Sequence, residues 1–329
     1  MNNNENSNKK RIQFIDLAKG VCIMLVVLYH CQIDLPGFTY VRMPLYFLIS
    51  GIFFKSYGGF MNFTLKKVNK NLIPFVFYYL VGFAISMALL KLFPGHQFSA
   101  LEGDQTFSLF DPVFSKPFFN FFIWFLLALF NANILFFLVQ KFVPQKFVQL
   151  VVVFLLAGLG GWLTEEGITL PMYLQKTFEF LPFFYLGFLL KRTEILYANK
   201  YDRYNLIFAS VLLGIFYVCV AYDLGQYFFM KYLMSSMGVI AVLFFCKTIS
   251  SLPLVSYYGR YSIVILCTHG LILPALRFLM LPHLAGMNSI VVSLVLFGVI
   301  MLLEIPAIYF CINYLGHFTA QKDIIKVAA

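Results

Sequence analysis

The first long apolar stretch of the chain carries ionisable side chains whose spacing places them on one face of a helix. Lys19 and His30 are eleven residues apart, which is about three helical turns and about 16 Å along the axis. Asp16 lies one turn before Lys19, and Asp34 lies one turn after His30. Ionisable groups in an apolar span are costly unless they meet a partner or line a water-filled cavity. This stripe is therefore a candidate site, with Asp16 and Asp34 as possible orienting carboxylates.

His30 has the most versatile chemistry in this stripe. Its imidazole titrates near neutral pH, and histidine is the commonest general base in enzymes. A histidine near a helix end is also frequently an interfacial residue without a chemical role. Lys19 has structural interpretations too, as an ion pair with Asp16 or as a side chain that extends to the lipid headgroups. Composition alone leaves these alternatives open.

Two further ionisable residues, His269 and Glu304, fall inside apolar stretches near the end of the chain. His269 lies in the middle of its stretch, where a hydrogen-bonded core histidine and a functional one are equally good interpretations. Glu304 lies two residues before Pro306. It can form a structural pair or bond to backbone groups that the proline leaves free.

Two polar motifs have strong structural alternatives. Lys66, Lys67 and Lys70 form a basic cluster that is suited to anion binding, but retention of positive charge on the cytoplasmic side explains them as well. Ser50 lacks the GxSxG surroundings of a nucleophilic serine. The pair Ser50 and Gly51 is better explained by close packing of helices.

The composition indicates which elements must position these residues. Of 329 residues 61% are hydrophobic and 12% are charged, with a mean hydropathy of +0.84. This excess of apolar residues predicts an all-α polytopic membrane protein in contact with the lipid bilayer. The net charge of +10 comes from basic residues at the ends of apolar runs, so it favours topology anchors and not nucleic-acid binding. The six cysteines show no metal-ligand spacing, so we expect no metal site.

About ten spans of sufficient length can be placed in a single membrane domain that covers residues 1–329. The second and sixth are the weakest, since one is short and the other contains Lys176, Glu179 and Pro182. Keeping both leaves the 24 basic residues divided about 18 inside to 6 outside, and it predicts that both termini are cytoplasmic. The predicted spans are 12–33, 41–57, 72–93, 118–140, 147–163, 174–190, 204–222, 228–249, 260–281 and 289–312.

In this order and spacing, several short motifs resemble the acyltransferase 3 family of integral membrane acyltransferases, and within it the fucose 4-O-acetylase-like branch. The strongest part is a basic residue followed ten residues later by histidine, here Lys19 and His30. This sequence has Lys19 where the family usually has Arg, so the bidentate fork of a guanidinium is missing. The motifs are residues 11–20 leading to His30, residues 42–51, residues 67–70 before Pro74, residues 124–126, residues 181–187, and residues 259–262 leading to His269.

The resemblance implies transfer of an acyl group, most often acetyl, from cytoplasmic acyl-CoA to a hydroxyl of a cell-surface or lipid-linked glycan. The protein would lie in the bacterial inner membrane, with acetyl-CoA as a co-substrate and no tightly bound cofactor. Lys67 and Lys70 would bind the CoA phosphates. His30 would act as the base or as a transient acyl carrier, with support from Lys19. The expected substrate-binding residues are Arg42, Ser50, Trp124 and His269.

Two other classes of protein remain as alternatives. A carrier or flippase for a lipid-linked sugar would use buried charges as a translocation path. A non-catalytic subunit of a polysaccharide synthase would have little need for a buried lysine and histidine on one stripe. Dependence on an acyl donor distinguishes an acyltransferase from both.

Overall fold

The computed structural model describes residues 12–92, 108–116, 120–193 and 203–327, and these residues form helices and connecting loops without strands. Residue 11 of the first motif and the predicted span ends at 93 and 118–119 lie outside these ranges. Within the described residues there are twelve α-helices. They are α1 (Gln13–His30), α2 (Thr39–Ile52), α3 (Phe60–Lys67), α4 (Ile73–Leu92), α5 (Trp124–Phe142), α6 (Lys146–Glu165), α7 (Leu174–Leu190), α8 (Arg203–Ala221), α9 (Phe228–Ile249), α10 (Pro253–Arg260), α11 (Ser262–Met280) and α12 (Ser289–Tyr314).

Eight helical stretches among the described residues are long and apolar enough to cross a membrane. Each of them overlaps one of the ten predicted spans, so the prediction of a polytopic helical membrane protein is confirmed. The helices at the second and sixth predicted spans, α2 and α7, contain 14 and 17 residues. They are shorter than the roughly 20 residues that a bilayer core requires. The eight stretches are Gln13–His30, Phe60–Leu89, Phe121–Phe142, Lys146–Glu165, Tyr204–Ala221, Phe228–Ile249, Ser262–Leu284 and Ser289–Tyr314.

The two short helices pack against each other in the interior of the bundle. A side chain on Gly51 of α2 would collide with the carbonyl oxygen of Phe184, and one on Gly187 of α7 would collide with the carbonyl oxygen of Leu48. Glycine at both positions therefore allows the two backbones to touch. This agrees with the prediction that Ser50 and Gly51 belong to a packing motif.

A compensated charge explains why the sixth predicted span is polar. Glu179 is buried on α7. Its carboxylate lies 3.0 Å from Lys176 and 3.7 Å from Lys231, and it accepts a hydrogen bond from Thr164. A buried carboxylate of this kind is tolerated because its charge and lone pairs have partners.

Helix α1 lies at the centre of the fold, since it contacts α2, α9, α10, α11 and α12. Its two ends therefore define two ends of the molecule, one at Lys19 and one at His30. The last described segment, residues 315–327, returns to the Lys19 end. There Phe318 stacks on Phe77 with ring centroids 4.3 Å apart, and Asp323 forms ion pairs with Lys66 and Lys70.

Both short helices run between these two ends. Arg42 near the start of α2 lies over the ring of Tyr29, whereas Ser50 near its end lines the same cavity as Lys19. Helix α7 runs parallel to α2, since Phe47 stacks on Phe180 and Phe54 packs on Phe188. It ends at the same place as α2, because the Lys191 ammonium that follows it donates to the carbonyl of Phe54. At about 1.5 Å per residue their lengths are about 21 Å and about 26 Å.

Candidate active site

A cavity of about 410 Å³ opens at the Lys19 end of the molecule, with charged and amide side chains set among apolar ones. It is formed by α1, α2, α5 and α11 together with a π-helical turn, Val68–Leu72, that joins α3 to α4. Four cationic side chains line it, which makes it suited to an anionic ligand. They are Lys19, Lys67, Lys70 and Arg260.

Two buried amides add unused hydrogen-bonding capacity to this cavity. Among the described residues, the side-chain nitrogen of Asn71 and the side-chain oxygen of Asn133 have no partner, and both residues line the cavity. A buried polar atom without a partner is costly, and a ligand that supplies an acceptor and a donor removes that cost. Ser50 also lines the cavity, so the structure places it with Lys19 and not with His30.

The two predicted histidines meet at the opposite end of the cavity helices. The ring centroids of His30 and His269 are 5.6 Å apart. His269 is fully buried, and its Nδ1 lies 2.7 Å from the carbonyl oxygen of Ile265. Since a carbonyl only accepts, Nδ1 carries the proton and Nε2 has a free lone pair. This Nε2 has no partner among the described residues.

An aromatic ring covers both imidazoles. Phe122 has its ring centroid 3.9 Å from that of His30 and 4.9 Å from that of His269. Phe122 also packs against α11 at Gly270, where a side chain would collide with the phenyl ring. The lack of a side chain at Gly270 therefore lets Phe122 approach the histidine pair.

Two arginines complete this end of the molecule. The Arg42 guanidinium lies 3.8 Å from the ring centroid of Tyr29, and Arg277 donates a hydrogen bond of 2.7 Å to the backbone carbonyl of His30. Asp34 lies 3.6 Å from Arg42, and its side chain is 60% exposed. The structure therefore places Asp34 as a partner of Arg42, although its spacing predicts that it orients His30.

The cavity and the residues around the histidine pair are about one turn apart on two helices, α2 and α11. Tyr46, Phe125 and Leu266 line the cavity. Arg42 precedes Tyr46 by four residues on α2, and His269 follows Leu266 by three residues on α11. Lys19 and His30 lie at opposite ends of α1, as their spacing predicts, so Lys19 belongs to the cavity and His30 to the pair.

The remaining predicted residues lie elsewhere. Trp124 packs against Tyr173, with ring centroids 5.8 Å apart, and does not line the cavity. Asp16 is buried on α1, the helix that packs closely against α10. The Glu304 carboxylate is fully buried 2.7 Å from the Thr268 hydroxyl, directly beside His269 in the chain. Glu304 therefore accepts a hydrogen bond from a side chain, which favours the structural pair over a bond to the backbone near Pro306.

Sequence reasoning did not single out several residues of the site. Arg277 is one of 24 basic residues and Phe122 is one of 41 phenylalanines, and neither has a distinguishing signal in the sequence. Asn71 and Asn133 are neutral amides that become informative only when their burial is known. Among the described residues, no group of three or more His, Cys, Asp or Glu side chains is arranged to hold a metal ion.

The described residues thus form a helical membrane bundle with a cationic cavity near paired imidazoles, which is the architecture of an integral membrane protein. The acyltransferase 3 family model, described as an acyltransferase domain, matches residues 12–309. The chain belongs to this family and is a multi-pass membrane acyltransferase. Comparison with curated proteins and with solved structures gave no significant match.

Proposed function

We propose that this protein transfers an acyl group, in the first place acetyl, from acyl-CoA to a hydroxyl of a cell-surface or lipid-linked glycan. The observation that supports this proposal most is the position of the cationic cavity about one helical turn from the pair His30 and His269. Such an arrangement suits a long donor with a charged head at one end and a reactive group at the other.

The donor would enter at the Lys19 end. Lys67, Lys70 and Arg260 offer charge-assisted hydrogen bonds to the phosphates of CoA, while Asn71 and Asn133 meet polar groups of its arm. The arm would follow the apolar wall of Phe125 and Leu266 toward the histidines. The thioester would then lie near His30, with CoA anchored about 16 Å away along α1.

At the other end, His30 accepts the proton of the acceptor hydroxyl as its oxygen attacks the thioester carbonyl. The C–S bond then breaks, the CoA sulfur leaves as a thiolate, and the imidazolium proton neutralises it. In the covalent variant, an imidazole nitrogen attacks the thioester carbonyl and the C–S bond breaks to release the CoA thiolate. The acceptor hydroxyl then attacks the acyl-imidazole, the N–acyl bond breaks, and the hydroxyl proton neutralises the thiolate. Arg42 supplies positive charge near the oxygen that becomes negative.

We also propose ten membrane crossings in the inner membrane, with both termini in the cytoplasm. The end-to-end course of α2 and α7 supports this count, because each connects the Lys19 end and the His30 end of the bundle. The basic cluster and the C-terminal segment share one end, which agrees with retention of positive charge inside.

The decisive test is donor dependence. Purified protein in detergent, given radiolabelled acetyl-CoA and membrane glycolipid from producing cells, should release free CoA and transfer the label to glycan, with a mass increase of one acetyl unit. The variant His30→Ala is the matched control. Transport of the glycolipid without consumption of acetyl-CoA would support a carrier and contradict the proposal.

A further inference from the structure

The space beside the two imidazoles is already partly filled by a side chain with no assigned role. The Phe122 ring contacts both His30 and His269. The glycine at position 270 fixes how closely this ring approaches α11. Because the Phe122 ring lies against the rings of both His30 and His269, a group transferred at these imidazoles would lie next to Phe122.

We propose that Phe122 sets the length of the acyl chain that the enzyme transfers. This inference rests on the proposed function. A methyl group needs little room beside the imidazoles, whereas each additional methylene extends toward the phenyl ring. Protein interiors are packed densely, so the ring cannot be compressed to accommodate a longer chain. Acetyl is therefore accepted, and butyryl is excluded by collision with Phe122.

The test compares acetyl-CoA with butyryl-CoA as donors for the full-length protein in detergent. Phe122→Ala removes the six carbons of the ring and should raise the ratio of kcat/KM for butyryl-CoA to that for acetyl-CoA by about tenfold or more, the scale of pocket discrimination between chain lengths. Phe122→Leu should give an intermediate ratio. It also provides a second variant if Phe122→Ala does not fold.

The matched control is Phe121→Ala. Phe121 is the preceding residue and faces Tyr173, with ring centroids 6.1 Å apart, so its removal should leave the ratio unchanged. An unchanged ratio in both Phe122 variants would overturn the proposal. So would an equal loss with both donors, which would assign Phe122 to holding the histidines. If the wild-type protein consumes no acyl-CoA at all, that result contradicts the proposed function itself, and it is distinguishable from a failure of the inference about Phe122.

An independent observation concerns the C-terminal strap, which we define as residues 315–325. Asp323 bridges two lysines, with its two oxygens 2.5 Å from Lys66 and 3.1 Å from Lys70. Lys70 also donates to the carbonyl oxygen of Ala320, and Gln321 lines the cavity. The strap therefore lies at the mouth of the cavity and pairs with one of the cations that line it, Lys70, and with the neighbouring Lys66.

Neutral hydrogen bonds hold the strap next to this ion pair. The Asn69 side chain donates to the carbonyl of Ile325 and accepts from the backbone nitrogens of Ile324 and Ile325, at 2.8, 3.0 and 2.9 Å. The position of the strap thus does not depend on charge alone. Asp323 can lose its lysine partners to another anion while Asn69 still retains the chain.

We infer that Asp323 is an internal anion that competes with the phosphates of the donor for Lys66 and Lys70. Both a carboxylate and a phosphate need these ammonium groups as partners, and they cannot use the same donors at once. The strap would then lower the affinity for acyl-CoA and impose a threshold donor concentration. This inference also rests on the proposed function.

Asp323→Asn should lower the KM for acetyl-CoA about two- to fivefold, the scale of a partly exposed ion pair, with kcat unchanged. Asp323→Glu should keep the wild-type value. S-acetylpantetheine, which has no phosphate, should show the same KM with wild type and variant. A raised or unchanged KM for acetyl-CoA, or an equal change with both donors, would overturn the competition. Absence of any donor consumption by wild type would instead contradict the proposed function.

Discussion

The proposed acyl transfer depends most on His30. The contacts of its ring bear on the effect that loss of the imidazole should have on turnover. His30 contacts Phe122, Tyr29 and His269 through its ring, so it is more embedded than a histidine at an outer helix end would suggest. His30→Ala should still lower turnover by about 100-fold or more, the usual scale for loss of a general base. Acetyl transfer by purified variant, with elution volume and melting temperature as folding checks, measures this.

Two substitutions of Lys19, at the other end of the same helix, should differ in their effect on donor binding. Its ammonium lies 5.3 Å from the ring centroid of Phe53 and lines the cavity. Because it belongs to the donor cavity, Lys19→Arg should retain activity, whereas Lys19→Ala should raise the KM for acetyl-CoA. An unchanged KM for acetyl-CoA in Lys19→Ala would contradict a role of Lys19 in donor binding. Full activity in well-folded His30→Ala would contradict the mechanism itself.

At this scale the sequence singles out the charged and titratable residues and passes over the neutral ones, because ionisable groups in apolar helices have few tolerable places. The structure brings Lys19 to Lys67 and Lys70 and not to His30, and it brings His30 to His269; their roles in the reaction stay predictions. Phe122, Asn71 and Asn133 carry no charge, so their presence in an apolar helix does not mark them as candidate site residues. Their roles depend on neighbours from distant parts of the chain, which spacing within one helix does not reveal.

Among the elements, the π-helical turn Val68–Leu72 determines which side chains near the basic cluster face the cavity and which face the strap. Asn69 faces the strap, whereas Lys70 and Asn71 line the cavity. An α-helical reading of residues 60–92 misses this turn, because its extra residue leaves no signal in hydrophobic periodicity. Insertions of this kind are frequent at functional sites and change the face on which side chains lie.

Replacing Lys67 and Lys70 together with Gln should raise the KM for acetyl-CoA and leave kcat largely intact, since a contact to the bound donor is lost in ground state and transition state alike. Steady-state kinetics over a range of acetyl-CoA concentrations measures the split. The matched control is Lys176→Gln, which alters a lysine that pairs with Glu179 on another part of the bundle. An unchanged KM in the double variant would leave the lysines only a topological role.

The strap should respond to acid. Hydrogen bonding from Lys66, with the charge of Lys70 beside it, lowers the pKa of Asp323 below its ordinary value of 3.8. A lowered pKa in the folded state means that the contact is complete above pH 4 and weakens as the pH falls through the lowered value. Backbone exchange at Ile324 and Ile325, corrected for the intrinsic rate, should therefore accelerate below about pH 4.

In Asp323→Asn the same exchange should already be faster at neutral pH and insensitive to acid. The amide of Asn does not titrate, so loss of the acid response in the variant would assign that response to the Asp323 carboxylate. Equal pH dependence in wild type and variant would show that Asn69 and the stacking of Phe318 on Phe77 hold the strap without help from the ion pair.

On the scale of the whole molecule, the apolar runs and the order of helices were predictable, but the two interior helices were not. Composition identifies segments that must contact lipid. Helices α2 and α7 contact mostly protein, so their length and polarity follow the packing of Gly51 against Phe184 and the ion pairs of Glu179.

The course of α2 and α7 leads to a test of the ten-crossing topology. Single cysteines can be placed in a background that lacks the six native cysteines, all of which are buried. Cysteines near Asn2, at Ser56 after α2, and near Lys326 should be shielded from membrane-impermeant thiol reagents in intact cells. A cysteine at the exposed His283 after α11 should be labelled, because it lies on the side of Arg277 and His30.

Ser56 is the informative position, because it separates ten crossings from eight. If α2 did not cross, the chain after α1 would stay outside, and both Ser56 and the lysines of residues 66–70 would face the exterior. That arrangement would leave Lys66 and Asp323 on opposite sides of the membrane, although they form an ion pair. Labelling at Ser56 together with protection near Lys326 would therefore contradict both the topology and the attachment of the strap. Protection at both positions, with labelling at His283, would place the Lys19 end inside and the His30 end outside, as transfer from a cytoplasmic donor to an external acceptor requires.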